Sequence, residues 1–285
     1  HLSIRRQRQM CIRDSADRLA TGLPADPVAD RSGGQGCSLA VPFGLSTTPD
    51  ITLVEETGST NADLAAAIRG GEGWAEGKWL VARRQTAGRG RQGRAWFDGA
   101  GNFMGSTVVT VGEGGPPPAS LSFVAALAVR DAAAVVLGEG ADLALKWPND
   151  VLLSGGKLSG ILLEMARGHI IVGIGVNIVR APELPDRKTA ALAQFGAAPP
   201  LEEFAASLAA AFDRRLESWR TYGLGGVLQA FLAHAIHAQG SPVTVHDTDG
   251  SVLSGSFAGL EESDGALRLR LADGSERVIR AGDIS

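Results

Sequence analysis

Three glycines and three arginines interleave from Gly88 to Arg94 (GRGRQGR), and some fifty residues later the chain reads KWPND from Lys146 to Asp150. Glycine lets backbone N–H groups turn inward and approach a ligand closely, and arginine adds forked donors that match phosphate or carboxylate oxygens. Such a loop can wrap a phosphate. In KWPND the Pro148-Asn149-Asp150 turn would project Lys146, Asn149 and Asp150 together, a phosphate-binding cation beside a carboxylate able to hold Mg²⁺. Each block also has an ordinary reading. GRGRQGR could be an Arg/Gly segment that binds RNA or a solvated hairpin, and KWPND could be a strand end with a turn and a core Trp147.

Lysine usage narrows the choice. The chain has 23 Arg and only four Lys, and two of the four, Lys146 and Lys157, fall in these motifs. Lys157 opens KLSGIL, a strand-like run where Gly160 permits close backbone approach and the ammonium could reach a ligand oxygen; an edge-strand lysine is the alternative. GIGVNI, Gly173 to Ile178, lacks the third glycine and the helix of a dinucleotide fingerprint. Its Gly175 and Asn177 suit a strand lining a flat ring, with an adenine edge or a backbone group as the partner of Asn177. Ser59-Thr60-Asn61 reads as a helix start, with Thr60 as the cap, and three polar side chains there can also hold a small polar head group. His234 and His237 lie three apart on an expected helix without a third ligand, and are read as surface or packing residues. Neither a Walker loop nor a Ser/His/Asp order is found.

These residues need elements to hold them. Strands are expected at Ile51–Glu56, Lys78–Arg84, Phe103–Val111, Leu143–Lys146, Lys157–Met165 and His169–Ile178, so that the glycine/arginine loop is anchored by a strand on each side. Helices are expected at Ala62–Ile68, from Pro116–Pro118 to Leu137, from Leu201 to Trp219 on spacings of three and four, and at Val227–His237. After Gly240 the turns Asp249-Gly250, Asp264-Gly265 and Asp273-Gly274, with Leu267, Leu269 and Leu271 alternating against Arg268 and Arg270, describe a small all-β module. It is too small to bury much surface alone and should pack on the larger domain.

Composition bounds the rest. The chain has 285 residues, 44% of them apolar, enough for one large domain plus a small one. Its uninterrupted apolar run Phe123–Val129 is far short of the roughly 20 residues that cross a bilayer, so no membrane segment is expected. Cys11 and Cys37 show neither CxxC spacing nor a preceding signal-peptide core, which fits a reducing cytoplasm. Residues 1–15 resemble translated vector sequence and residues 16–48 a flexible leader rich in Gly, Pro, Ser and Asp. Leaving out the first fifteen, with Arg5, Arg6, Arg8, Arg13 and Asp14, takes the net charge from −4 to −7, which disfavours non-specific nucleic-acid binding.

The ordered set STN (Ser59–Asn61), Q-x-A-G-R-G-R-x-G-R-x-W (Gln85–Trp96), KWPND, K-L-x-G-I-L-x-E (Lys157–Glu164) and G-x-N (Gly175–Asn177) resembles the biotin protein ligases. The resemblance covers about Ile51 to Ala235, and the β module is similar to the family's SH3-like C-terminal domain. Nothing resembling the family's N-terminal DNA-binding domain is read ahead of Ile51. The resemblance implies an α+β fold: a mixed, largely antiparallel sheet with helices, like class II aminoacyl-tRNA synthetases, over residues 49–238, then an SH3-like barrel over 239–285.

It also implies activation of biotin by ATP and Mg²⁺ to biotinyl-5′-AMP and transfer to a lysine of a biotin carboxyl carrier protein. Neither nucleic acid nor membrane is an expected partner, and a homodimer is left open. By position, Ser59, Thr60, Asn61 and Gln85 would contact the biotin ring and its surroundings, and Arg89, Gly90 and Arg91 belong to a loop that closes over biotin and adenylate. Lys157 would touch the biotin carboxyl and the phosphate, with Lys157 and Arg91 as the catalytic pair. Arg91, Arg94, Trp96, Lys146, Asn149 and Asn177 would bind ATP, and Asp150 would hold Mg²⁺. Gln92 stands where an arginine is common in the family, at the cost of one donor. The loop is expected to be mobile when empty and to order on ligand binding. A lipoate–protein ligase, a biotin-responsive repressor and an RNA-binding module are the rivals.

Overall fold

The computed structural model describes residues 49–285 except 139, 197, 248 and 249. The expectations for the leader, both cysteines and Asp249 fall outside the described residues. The described residues fall within one compact unit.

The chain runs β1 (Asp50–Thr57), α1 (Thr60–Gly70), β2 (Lys78–Gln85), β3 (Phe103–Thr110), α2 (Leu121–Leu137), β4 (Leu143–Lys146), β5 (Asp150–Leu153), β6 (Gly156–Ala166) and β7 (His169–Val176). Then follow α3 (Leu201–Tyr222) and α4 (Leu224–Leu232), and the short strands β8 (Pro242–His246), β9 (Val252–Leu260), β10 (Leu267–Arg270), β11 (Glu276–Ile279) and β12 (Asp283–Ile284). The first seven strands make one sheet in the order β1-β2-β3-β7-β6-β5-β4. Only β1 and β2 pair in parallel, joined by the crossover helix α1; the other pairs are antiparallel. The mixed, largely antiparallel α+β expectation holds.

The core sits between this sheet and α2, α3 and α4. Trp79 stacks edge-on against Phe103 and Phe212, with centroids 6.2 and 5.5 Å away, while the alanines of α2 let α3 come close. Trp219 Nε1 donates to Ser120 Oγ at 2.8 Å, and Arg215 forks onto Asp131 at 2.7 and 3.0 Å, so two polar pairs lock α3 to the α2 segment. Pro118–Leu137, with mean hydropathy 1.8, is long and apolar enough to cross a bilayer by composition. Two thirds of it (67%) is buried inside the fold, because it is the central core helix.

Several local expectations are corrected. The α1 cap is Ser59, in extended backbone with its hydroxyl accepting from Ala62 N, and Thr60 is already helical. Gly71, at φ 83°, ends that helix as expected of a left-handed cap. The turn in KWPND is immediately followed by β5, a four-residue strand the sequence reading passed over; it is short and apolar (DVLL), without alternation. The expected Val227–His237 helix stops at Leu232, and the chain then crosses to β4, where Leu145 N bonds His234 O at 2.7 Å and Ile236 N bonds Leu145 O at 2.9 Å.

The last five strands form an antiparallel sheet in the order β11-β10-β9-β8-β12. It does pack on the larger sheet's elements. Trp147 Nε1 donates to Gly265 O at 3.1 Å, and Gly265, at φ 75°, lies against the Phe123 ring so tightly that a side chain there would collide with it.

Candidate active site

One cavity of about 1130 Å³ gathers nearly every motif: it is lined by Ser59, Thr60, Asn61, Gln85, Arg89, Gly90, Arg91, Arg94, Trp96, Lys146, Asn149, Asp150, Lys157 and Asn177. Its floor is the face of β6 and β7, and glycine is what makes that floor flat. A Cβ on Gly173 would collide with the Asn61 amide, one on Gly175 with the Trp96 indole, and one on Gly160 would sit 2.9 Å from Trp96 Cζ3. The flat ring expected over Gly175 is therefore, in the first instance, Trp96. Its Nε1 is buried with no hydrogen-bond partner among the described residues.

Lys157 reaches the same face as Gly160 although it lies three positions before it, an odd spacing that in a regular strand would put the two on opposite faces. A β-bulge supplies the missing residue: Val151 pairs with Ser159 but Leu152 pairs with Lys157, so the register shifts by one. Lys157 is thus on an interior strand rather than an edge, and its Nζ is 2.7 Å from Asp150 Oδ1. Asp150 itself begins β5 opposite Lys146, which closes β4. Among the described residues no group of three or more His, Cys, Asp or Glu is arranged to hold a metal.

The glycine/arginine loop is a tight hairpin. Arg89 bridges Ala95, Gly90 N donates to Arg94 O at 2.7 Å, and Trp96 N donates to Gly88 O at 2.9 Å. Gln92 and Gly93 turn it at φ 56° and 72°. Acceptors from other elements offset the arginine charges of this loop. Arg91 donates to Asn149 Oδ1 at 3.0 Å and to Gly282 O at 3.1 Å, and Arg94 hydrogen-bonds Asp283 in β12. Burial lowers the Arg91 guanidinium below its ordinary value, opposed by Asp283 and Asp150, yet an arginine so placed stays cationic at neutral pH. Asn149 is held from behind, its Nδ2 donating to Ile161 O at 2.6 Å.

At the other end of the cavity the polar cluster is nearly dry. Ser59, Thr60, Asn61, Gln85 and Ser106 are all buried. Thr60 N and Oγ1 lie 2.7 and 3.2 Å from Gln85 Oε1, Thr60 Oγ1 is 2.6 Å from Ser106 Oγ, Ser106 Oγ donates to Asn61 Oδ1 at 2.6 Å, and Asn61 Nδ2 donates to Glu164 at 2.7 Å. Asn177 is engaged by backbone: its Nδ2 donates to Lys157 O at 3.3 Å and Ala190 O at 3.2 Å. It ties the segment after β7 to the start of β6.

Sequence reasoning passed over several residues here. Ser106 and Glu164 complete the polar cluster. Asn102, fully buried, accepts from the backbone N–H of Ile178, Val179 and Arg180 at 3.0 to 3.2 Å and so aims the 178–189 segment. That segment adds Arg187 and Lys188 to the cavity wall. Asp283 comes from the β module, whose part in the site no local motif announces. His237, read as a surface or packing residue, also lines the cavity; burial first, then Lys146, lowers its imidazole below the ordinary value. A polar residue amid apolar strand sequence is the signal that could have found Ser106, whereas Asn102 sits in the glycine-rich turn before β3 and carries no such mark.

A cavity with a glycine floor, a cationic hairpin over one end and a buried hydrogen-bonding cluster at the other suits a molecule that is polar-ringed at one end and anionic at the other. The comparisons with known proteins agree. Residues 57–177 match the Biotin/lipoate A/B protein ligase family and residues 239–285 the Biotin protein ligase C terminal domain. A biotin--[acetyl-CoA-carboxylase] ligase of Paracoccus denitrificans is 41% identical over 81% of this chain and 98% of its own length. The enzyme of the same description from Mycobacterium tuberculosis is 41% identical over 60% of this chain and 65% of its own. The biotin protein ligase of Aquifex aeolicus, solved in complex with biotin and ATP, superposes with a TM-score of 0.70 at 25% identity, covering 83% of this chain and 97% of that one. The chain belongs to the biotin protein ligase family.

Proposed function

We propose that this protein activates biotin with ATP and transfers the biotinyl group to a lysine of a biotin carboxyl carrier protein. A biotin carboxylate oxygen attacks the α-phosphorus of ATP, pyrophosphate leaves, and biotinyl-5′-AMP results. The acceptor amine then attacks the acyl carbon, AMP leaves, and the amine proton is lost. The observation that carries the reading is the placement of Lys146, Lys157, Arg89, Arg91 and Arg94 at one cavity with the Thr60–Gln85–Ser106–Asn61 cluster.

The first step joins two anions, so the site's work is to concentrate positive charge and fix the attack geometry. Lys157, aimed by the bulge and held at 2.7 Å from Asp150, is placed to steady the carboxylate and the α-phosphate. Arg91 and Arg94 cover the reacting end from the hairpin, and Gly90 lets that backbone come close. Trp96, laid over Gly160 and Gly175, offers its outer face to adenine; Asn177 holds the strand ends beside it rather than spending its amide on the base. Mg²⁺ fits the donor set in the manner usual for it, one or two protein oxygens plus phosphate oxygens, with Asp150 as the protein carboxylate and Asn149 beside it. When bound it neutralises phosphate charge. Closure by the hairpin keeps water from the mixed anhydride until the acceptor amine arrives.

Biotin rather than lipoate is favoured by the buried cluster. A ureido ring has N–H donors and a carbonyl acceptor to answer Thr60 and Gln85 at the cavity wall, whereas a dithiolane offers them neither, at about 1–3 kcal/mol for each polar group left short of a partner. The RNA-binding rival is disfavoured because Arg91 and Arg94 line the cavity that also holds the buried polar cluster, rather than forming a repeated exposed Arg/Gly tract. We place the boundary between catalytic and C-terminal domains near residue 238 and regard a reducing cytoplasm as the setting. ATP–pyrophosphate exchange with biotin or lipoate as the acid tests the assignment: exchange with biotin alone supports it, and exchange driven by lipoate alone overturns it.

A further inference from the structure

The hydrogen bonds around Asn61 have a direction that can be worked out atom by atom. A carboxylate has only acceptors, so the Asn61 side-chain atom 2.7 Å from Glu164 Oε2 must be the amide nitrogen. Leu162 O, at 3.5 Å, adds a weaker bias in the same sense. The other amide atom is then oxygen, and Ser106, 2.6 Å from it, must donate its one proton there. With that proton spent, Ser106 can only accept from Thr60, whose hydroxyl lies 2.6 Å away, and Thr60 turns its own proton away from the cavity. Separately, Thr60 N can only donate, so the Gln85 atom it touches at 2.7 Å is Oε1, which leaves Nε2 as the donor at the Gly88 end.

The cavity end therefore presents the Thr60 hydroxyl as an acceptor and the Gln85 amide as a donor, with Ser106 fully buried behind them. That pair answers one N–H and the C=O of a ureido group. If Asn61 were flipped, its nitrogen would donate to Ser106, Ser106 could turn its own proton to Thr60, and the Thr60 proton would be free to point at the ligand, where a ureido N–H would meet a donor. Glu164 stands on β6, and Asn61 opposite it is pinned against Gly173, where no Cβ could fit.

We propose that Glu164 is a positioning residue for the acid substrate: through Asn61 and Ser106 its carboxylate sets the polarity of the Thr60 hydroxyl that reads a ureido N–H. The proposal rests on the biotin reading above and deepens it. Glutamine at 164 is nearly isosteric but can donate as well as accept, so it would permit both directions of the chain; leucine would remove the director entirely.

The test is steady-state ATP–pyrophosphate exchange by wild type, E164Q and E164L, each with biotin and with lipoate, alongside thermal melting. The expected result is a KM for biotin raised roughly tenfold in E164L and less in E164Q, an unchanged KM for ATP, and a reduced preference for biotin over lipoate. An unchanged KM for biotin and unchanged preference in the variants would overturn the proposal. So would a parallel loss for biotin and ATP with a lowered melting temperature, which marks a merely structural residue. Should E164L fail to fold, E164Q decides alone. Absence of biotin-dependent exchange in wild type would instead sink the functional assignment itself.

Discussion

Arg91 and Asp283 lie far apart along the chain and approach to 3.6 Å at the cavity wall, with Arg94 bonded to the other oxygen of the same carboxylate. The C-terminal sheet thereby reaches into the catalytic loop: β12 holds the hairpin down through one aspartate and the Gly282 carbonyl. Asp283→Asn keeps the shape and removes the charge. Loop closure should weaken, with biotinyl-5′-AMP escaping about tenfold faster in a quench assay that separates free from bound adenylate. Arg91→Gly should act in the same direction more strongly; undiminished retention of the adenylate by that variant would contradict the part given to the hairpin.

The same contact sets a pH dependence. Burial works to raise the Asp283 carboxyl, but the Arg94 hydrogen bond and the charges of Arg94, Arg91 and Lys157 outweigh it and leave it below its ordinary value of 3.8. A carboxyl lowered in the folded state contributes stability that is present above its ordinary value and is lost as pH falls through the folded one. The latch should be intact at neutral pH and fail only below 3.8. Proteolysis of the hairpin by an acid protease, followed down in pH, should show wild type converging on Asp283→Asn below that point and protected above it.

Gly175→Ala probes the floor. A methyl there displaces the Trp96 indole, so the KM for ATP should rise about tenfold with a smaller change for biotin, as expected of a local steric shift. An equal change in KM for both substrates would show that Trp96 is not part of the nucleotide end.

Trp147→Phe removes the donor to Gly265 O while keeping an aromatic core residue. The loss should be about 1 kcal/mol, read from denaturant midpoints. Because the contact joins the two sheets, activity should fall more than a surface substitution of equal cost would cause.

Much of this site is legible in the sequence because its parts are local. GRGRQGR and KWPND announce a close-approaching backbone and a turn whatever surrounds them, and α3 declares itself by its spacing from Leu201 to Trp219. What stayed hidden depends on partners far along the chain. Asp283 looks like any turn aspartate until β12 pairs with β8. The aim of Lys157 depends on a bulge that no pattern in KLSGIL reveals. The [ST]-x-x-D spacing places Thr60 at the cap, but Ser59 fills that role and leaves Thr60 to the buried cluster. The α4 helix stops short of His237 because the chain leaves it to pair with Leu145.

The central claim is that one cavity makes a biotinyl adenylate and delivers it to a protein amine. Incubating the protein with ATP, Mg²⁺, biotin and an apo carrier domain, and then weighing the carrier, measures this directly. The account predicts a single biotinyl increment that vanishes when the acceptor lysine is replaced. A carrier of unchanged mass, or one that gains a lipoyl group but never a biotinyl group when both acids are supplied, would contradict it.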